Sequence, residues 1–393
     1  MKKNVILLGL LVLGIGFATS SCSDDDEEKK TEITEEEARD LDYTEANAKA
    51  WGNYAKNVAS LLQTDAAMLN SKWQNGYGAA FKAHNGSSTE YKSAEDCIEQ
   101  IIDGCIDIAN EVGTAKIGEP YDLLVSGETT QALYAVESWY SWHSRDDYKN
   151  NILSIANSLA GKNIGYDVNP SRISANQSSS NSVMGVCLVS NALSATAADV
   201  WTKVGAAWNA IDNIPQPFRN NISSKETSIA MDACADLVKA LEELKGKIGA
   251  EESIEWQAVV DQFVDNVALP TYADLATANA NLYKAVSTLQ ANPTNANFEA
   301  ACNAWLNARR PWETSEAFLF GPVAELGLDP NMDSWPLDQV GIANLMKSEN
   351  WKEFEWSGDY DEDNEAIEAA QSLRGFHTLE FLLFKDGKPR TIK

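Results

Sequence analysis

The sequence predicts an all-α protein built from two helical bundles, and three observations carry that prediction. Apolar residues recur in steps of three and four along most of the 393 residues, as amphipathic helices require. Prolines and glycines fall mostly between these stretches and mark helix ends. Runs with strand-like alternation are scarce, so little material exists for a sheet.

Residues 1–21 read as an export signal. Lys2 and Lys3 give a charged start, Val5 to Phe17 an apolar run, and Ser20-Ser21-Cys22 a small-residue end. The apolar run is shorter than the about 20 residues of a membrane span. A cysteine at this point suggests a lipoprotein acylated on Cys22; Thr19 stands where most such signals have Leu, and an ordinary secreted protein is the alternative. The acidic run Ser23 to Glu28 resembles the tether of Bacteroides-type surface lipoproteins and favours the anchor. Residues 22–40 are expected to form that tether, holding the protein at the outer membrane, on the cell surface or on its periplasmic face.

Charge narrows the partners. With 31 Lys and Arg against 58 Asp and Glu the net charge is −27, and losing Lys2 and Lys3 with the signal takes it to −29. Such a surface repels nucleic acid and anionic lipid. Cys97, Cys105, Cys187, Cys234 and Cys302 are odd in number and scattered, so they read as buried thiols and not as a disulfide framework or metal cluster.

Helical periodicity begins near Tyr43 and carries Trp51, Tyr54, Val58, Leu62 and Leu69 to Trp73. A second helix starts at Ser93, with Ile98, Ile101, Cys105, Ile108 and Val112 on its stripe, and ends at Gly113. Gly118-Glu119-Pro120-Tyr121 predicts a rigid turn. A third helix runs from Thr130 to Leu159 and stops before Gly161. A Ser- and Asn-rich loop over 169–181 separates it from Val183–Ile214, which Pro215 and Pro217 end. Lys225–Ile248 follows and completes the first bundle, residues 41–250. The second bundle, 251–393, contains Ser253–Val267, a pair Tyr272–Leu289 and Phe298–Phe320 joined around Pro293, and a helix from Asn364 that leads into the C-terminal segment.

Chemistry concentrates in two of these elements. In Gly375-Phe-His-Thr-Leu-Glu-Phe-Leu-Leu-Phe384, His377 and Glu380 lie one turn apart and leave the same face. The other faces are apolar, so the helix should be buried, and its two polar groups need partners. Gly375 suggests close approach of another helix or a ligand. On Phe298–Phe320, Arg309 and Glu316 interrupt an apolar stripe two turns, or about 10 Å, apart. Each is therefore expected to find a partner on another helix, and Pro311 to kink the helix and open space. A bland alternative is a core histidine bonded to its own neighbour, within an ion-pair network that only fixes register. The acidic run Asp359 to Glu365 looks like the start of a calcium loop, but Asn364 and Ala370 stand where Gly and Glu are needed. It reads better as a surface loop that caps a helix.

The decapeptide Gly375 to Phe384 resembles the GxHxxE signature of the imelysin-like family, formerly grouped with the M75 peptidases. Trp305-Leu-Asn-Ala-Arg309-Arg-Pro-Trp312-Glu-Thr-Ser-Glu316 resembles that family's second hallmark, with Trp335-Pro336-Leu337-Asp338 between the two. The cluster Glu137 to Asp147 resembles a Ser/His/Asp-bearing segment of the family, bringing in His143 and Asp147; a solvated turn with stacked tryptophans is the competing view. Ile108 to Gly118 resembles the family's turn near its cleft. Because only thirteen residues follow Glu380, the resemblance implies a circularly permuted imelysin-like fold with its site between the bundles.

The resemblance further implies an envelope protein of iron uptake. It would bind iron, an iron complex or another divalent metal, through His377, Glu380 and Glu316 as ligands. Arg309, Trp312, Glu316, His143 and Asp147 would serve as binding residues, and other iron-uptake envelope proteins as partners. His and carboxylates do not select among iron, zinc and manganese. A zinc peptidase using His377 and Glu380 is the runner-up, and a structural envelope protein without metal the third possibility. Against the peptidase, Thr378 follows His377, so the general base of an HExxH site is missing, and the remaining histidines are His84 and His143.

Overall fold

The computed structural model describes residues 33–84, 91–251, 253–356 and 358–392. The expected export signal, Cys22 and the start of the expected tether lie outside them. Among the described residues no helix is long and apolar enough to cross a membrane. The end of the stretch expected as a tether forms a short helix. Thr34 and Glu37 form a capping box on the single helical segment Glu35–Arg39, whose Ala38 is buried, satisfying two end donors reciprocally.

The principal helices are α1 (Ala48–Lys72), α2 (Ala94–Glu111), α3 (Ser144–Ala160), α4 (Ser194–Asp212), α5 (Lys225–Ile248), α6 (Leu269–Ala291) and α7 (Asn295–Glu313). The short α8 (Leu328–Asp333) and α9 (Phe376–Leu383) follow. The protein is all-α, and among the described residues the one departure is a hairpin of β1 (Phe384–Lys385) and β2 (Lys388–Pro389). Asp386 and Gly387 turn the hairpin with φ of 52° and 73°, the left-handed pair that a two-residue hairpin requires.

Packing sorts the helices into two groups. α2, α3, α4 and α5 form one; α6 lies along α1 and α7, and α9 packs on α1 and α7 to complete the other. The sequence boundary at residue 250 therefore does not follow the packing, since α1 belongs with the C-terminal helices. Trp51, Tyr54 and Val58 of α1 are buried: the Trp51 indole donates to Leu382 O at 2.9 Å and the Tyr54 hydroxyl to Leu373 O at 2.7 Å. The groups meet where α3 contacts α7. All of α3 except Arg145 and Asp146 is buried, although it carries Asp147, Asn151 and Ser154, and buried polar groups need hydrogen-bond partners.

Several expected boundaries moved. Gly118–Ser126 is helical and not a turn, because Pro120 falls in its first turn, where a missing N–H costs nothing. Residues 264–268 form a π-turn that runs straight into α6, so Pro270 does not break the chain there. The expected Thr130–Leu159 helix is two helices, Thr129–Tyr134 and α3. Ser138 and Trp142 between them adopt φ of 48° and 62°, outside any right-handed helix. Val183–Ile214 likewise divides into Val183–Cys187 and α4. Asn364 caps Glu365–Gln371 as the acidic-loop reading expects, its side chain accepting from Ala366 N. All five described cysteines are buried and free.

Candidate functional site

The site starts with the break that sets α9 in place. Gly375 does not sit inside a continuous helix; it stands just before α9 with φ of 94°, and a Cβ there would lie 2.7 Å from Met332 O. Only glycine tolerates both that conformation and that approach. The neighbouring backbone is α8, as the predicted close approach by another helix requires. Every residue of α9 is buried. The His377 Nδ1 and Glu380 Oε2 atoms are 3.1 Å apart, and Glu380 Oε1 accepts from Ser141 N at 2.7 Å. On the far side of the ring, Nε2 lies 3.1 Å from Asp333 Oδ1. That contact is an ion pair in distance but lies off hydrogen-bonding geometry, so Nε2 has no hydrogen-bond partner. The Trp335 ring meets His377 edge-on at 4.9 Å between centroids.

Asp333 links α9 to α7. Arg309 donates to Asp333 Oδ1 through one terminal nitrogen and pairs with Glu313 through the other, which also lies 3.5 Å from Asp147 Oδ2. The Trp312 indole donates to Asp333 Oδ2 at 2.7 Å. Glu313 Oε2 accepts from Asn151 Nδ2 at 2.5 Å, and Asp147 accepts from the Ser138 hydroxyl. Arg309 thus finds a partner on its own helix, at the i+4 position, as well as on α3 and α8.

Glu316 is not on the same helix as Arg309. α7 ends at Glu313, two residues after Pro311, so the proline sits in the last turn and opens no mid-helix gap. Thr314 and Ser315 end the helix by donating their hydroxyls to Arg310 O and Trp312 O at 2.9 and 2.7 Å, competing for its last carbonyls. Glu316 lies on the following 3-10 turn, Glu316–Phe318. Three contacts fix that turn. Ala317 N donates to Ser154 Oγ at 3.0 Å, the Tyr272 hydroxyl donates to Phe318 O at 2.9 Å, and Ala317 O packs onto Gly104 of α2, where a Cβ would meet it at 2.1 Å. The turn folds Glu316 back, so that carboxylate oxygens of Glu313, Glu316 and Asp333 lie within 4.8 Å of one another.

Electrostatics sharpens this picture. Burial opposes the charged form of His377, but the Asp333 carboxylate and the Glu380 hydrogen bond lift it to about 9, so it is an imidazolium at neutral pH. Burial would raise Asp333 as well, yet Arg309 and His377 hold it far below the usual carboxylate range. Burial wins at Glu316 and Glu313, both pushed well up despite the cations nearby. Lys116, also buried, donates to Glu137 at 2.9 and 3.0 Å and pairs with Glu111 at 3.3 Å.

The structure therefore gathers His377, Glu380, Arg309, Trp312, Glu316 and Asp147 at the seam between the two groups of helices. His143 does not join them: it is 30% exposed, and its Nε2 lies 3.8 Å from Asp146. His84 is farther removed in the chain's packing, with Nε2 2.8 Å from Gln257 Oε1. Sequence reasoning missed Glu313, Asp333, Asn151, Ser138 and Ser141. Glu313 had a signal in its i+4 spacing from Arg309. Ser138 and Ser141 lay inside the Glu137–Asp147 cluster without being singled out, and Asp333 had no signal, because it reaches the site only through the chain's return. The Ser138–His143 segment is held against α9 by the C-terminal hairpin, Gly387 N donating to Tyr140 O at 2.9 Å.

Fold and site together define a helical protein of two packed groups with a buried, charge-dense network at their seam. Residues 24–247 and 268–393 match the profile of the imelysin family, peptidase family M75, and the chain belongs to that family. A solved structure described as an imelysin peptidase from Bacteroides ovatus is 49% identical, with a TM-score of 0.84 over 91% of this chain and 100% of that one. Iron-regulated protein A of Synechococcus elongatus is 36% identical over 142 residues, which is 36% of this chain and 35% of that protein. The chain thus matches about a third of that relative's length.

Proposed function

We propose that this is an envelope lipoprotein that captures iron, as the ion or a small complex, within the polar seam between its helix groups. The observation that carries this reading is the excess of buried carboxylate there. Asp147, Glu137, Glu313, Glu316, Asp333 and Glu380 face Arg309, Lys116 and the His377 imidazolium. Buried negative charge is costly unless cations or protons answer it, and a captured cation would supply the missing charge. The name of the cyanobacterial relative, an iron-regulated protein, supports iron over other divalent metals. In this reading His377 and Glu380 shape the seam by holding Asp333 and the Ser141 backbone in place.

Hydrolysis fits less well. His377 and Glu380 are wholly buried, and both point at protein partners, leaving no face for a peptide carbonyl beside them. Protein equilibrated anaerobically with ferrous iron and then desalted is expected to retain about one iron per chain by elemental analysis. The His377→Ala variant is expected to retain about tenfold less, the usual scale for losing a group that orients a metal site. A wild-type protein that comes through desalting free of iron would overturn the proposal.

The anchor is a separate proposal resting on the signal and Cys22. A Cys22→Ala protein should leave the membrane fraction of its host while the unaltered chain stays in it. Retention of the variant in that fraction would sink the lipoprotein assignment.

A further inference from the structure

Glu316 is the one member of the carboxylate group that the fold leaves without an answer. It is 8% exposed and, among the described residues, makes no hydrogen bond and no ion pair, whereas Glu313 and Asp333 are each held by Arg309. The chain nevertheless fixes it firmly, through Ser154, Tyr272 and the close approach of Gly104 to its turn. A carboxylate held rigidly, nine-tenths buried and unpaired costs free energy. Its oxygen lies within 4.8 Å of one oxygen each from Glu313 and Asp333, a spacing that a single small cation can bridge.

We infer that Glu313, Glu316 and Asp333 are the ligands of a divalent cation that accepts an all-oxygen site, such as Mn2+ or Fe2+, and that His377 is not a ligand. This inference rests on the proposed function and deepens it by naming the atoms. Three carboxylates offer only oxygen, which suits hard cations and leaves remaining positions to water. The His377 ring is already taken up, Nδ1 by Glu380 and Nε2 by its ion pair with Asp333. It acts as a positioning residue that fixes Asp333 from the side opposite Trp312.

Mn2+ is the probe, because its free and bound forms differ in the electron paramagnetic resonance spectrum. At physiological salt, which screens loose binding to the acidic surface, the full chain is expected to bind about one Mn2+. Glu316→Gln should weaken that binding about tenfold or more, since affinity at such sites follows ligand charge. Asp236→Asn, on the exposed face of α5 and paired there with Lys203, should leave it unchanged. Glu316→Gln should also melt no lower than wild type without metal, because the unpaired carboxyl it replaces is already held protonated by burial, so lost binding is not lost folding. If Glu316→Gln and Glu313→Gln both bind Mn2+ like wild type, the ligand assignment is wrong while a cation site elsewhere in the seam still stands. If wild type binds neither Mn2+ nor Fe2+, the proposed function falls together with it.

Discussion

Replacing Arg309 with alanine is expected to lower the unfolding free energy by about 3–5 kcal/mol, the usual scale for removing one partner of a buried ion network. The guanidinium is 1% exposed and touches Asp333, Glu313 and Asp147, themselves at most 4% exposed. Without it, three buried carboxylates share a site with no shared cation. Urea unfolding followed by tryptophan fluorescence measures the loss, and Trp305 and Trp312 lie beside the residue as reporters. Arg309→Lys should recover only part of it, because an ammonium lacks the fork that reaches separate carboxylates at once. Combining Arg309→Met with Asp333→Asn and Glu313→Gln should recover more, since it removes the orphaned charges. An Arg309→Ala protein as stable as wild type would show that these carboxylates take up protons at no cost.

The second large effect is on pH. His377 sits at about 9 in the folded protein against about 6.5 when unfolded. Its folded value is the higher one, so its contribution is complete below about pH 6.5 and disappears as pH rises through 9. The size is on the order of 3 kcal/mol, from a difference of about two and a half pKa units. The buried thiols add a loss over the same range, because Cys97, Cys187 and Cys234 are pushed up to about 12 when folded and ionise near 8.5 once exposed. His377→Gln separates the two: the variant keeps the thiol effect and loses the imidazolium effect. Melting temperatures of metal-free protein from pH 6 to pH 9.5 should therefore fall less steeply in the variant. Parallel curves would mean that His377 is neutral in the folded state.

Most of the helices were legible because burial imprints a period on the chain. Lys225–Ile248 has the predicted limits, since Ser224 caps it at one end and its apolar stripe stops at the other. Ser93 likewise starts α2 as its N-cap. Boundaries failed where the backbone had a choice that side-chain period does not record. Pro120 ends nothing because it stands in a first turn, and the Ser138–Trp142 segment leaves the helix through left-handed residues that no apolar pattern announces. The apolar stripe of Phe298–Phe320 ran on past the true end of α7 because Glu316, Ala317 and Phe318, folded back on the 3-10 turn, are as buried as helical residues would be.

The sequence by itself determined that the protein is helical, that α9 is buried, and that His377, Glu380, Arg309 and Glu316 are polar groups in apolar surroundings. Those facts follow from local spacing, and local spacing is written in the chain. Only the tertiary structure decided what each of them touches. Asp333 lies 44 residues before His377 in the numbering and Ser141 more than two hundred before Glu380, and a residue's contacts at such separations depend on how the helices stack. It also decided that α1 packs with the C-terminal helices, and that Glu316 turns back toward Glu313 and Asp333 while His143 stays outside. A buried charge announces that it needs a partner, but it takes the packing of α3, α7, α8 and α9 to choose which one.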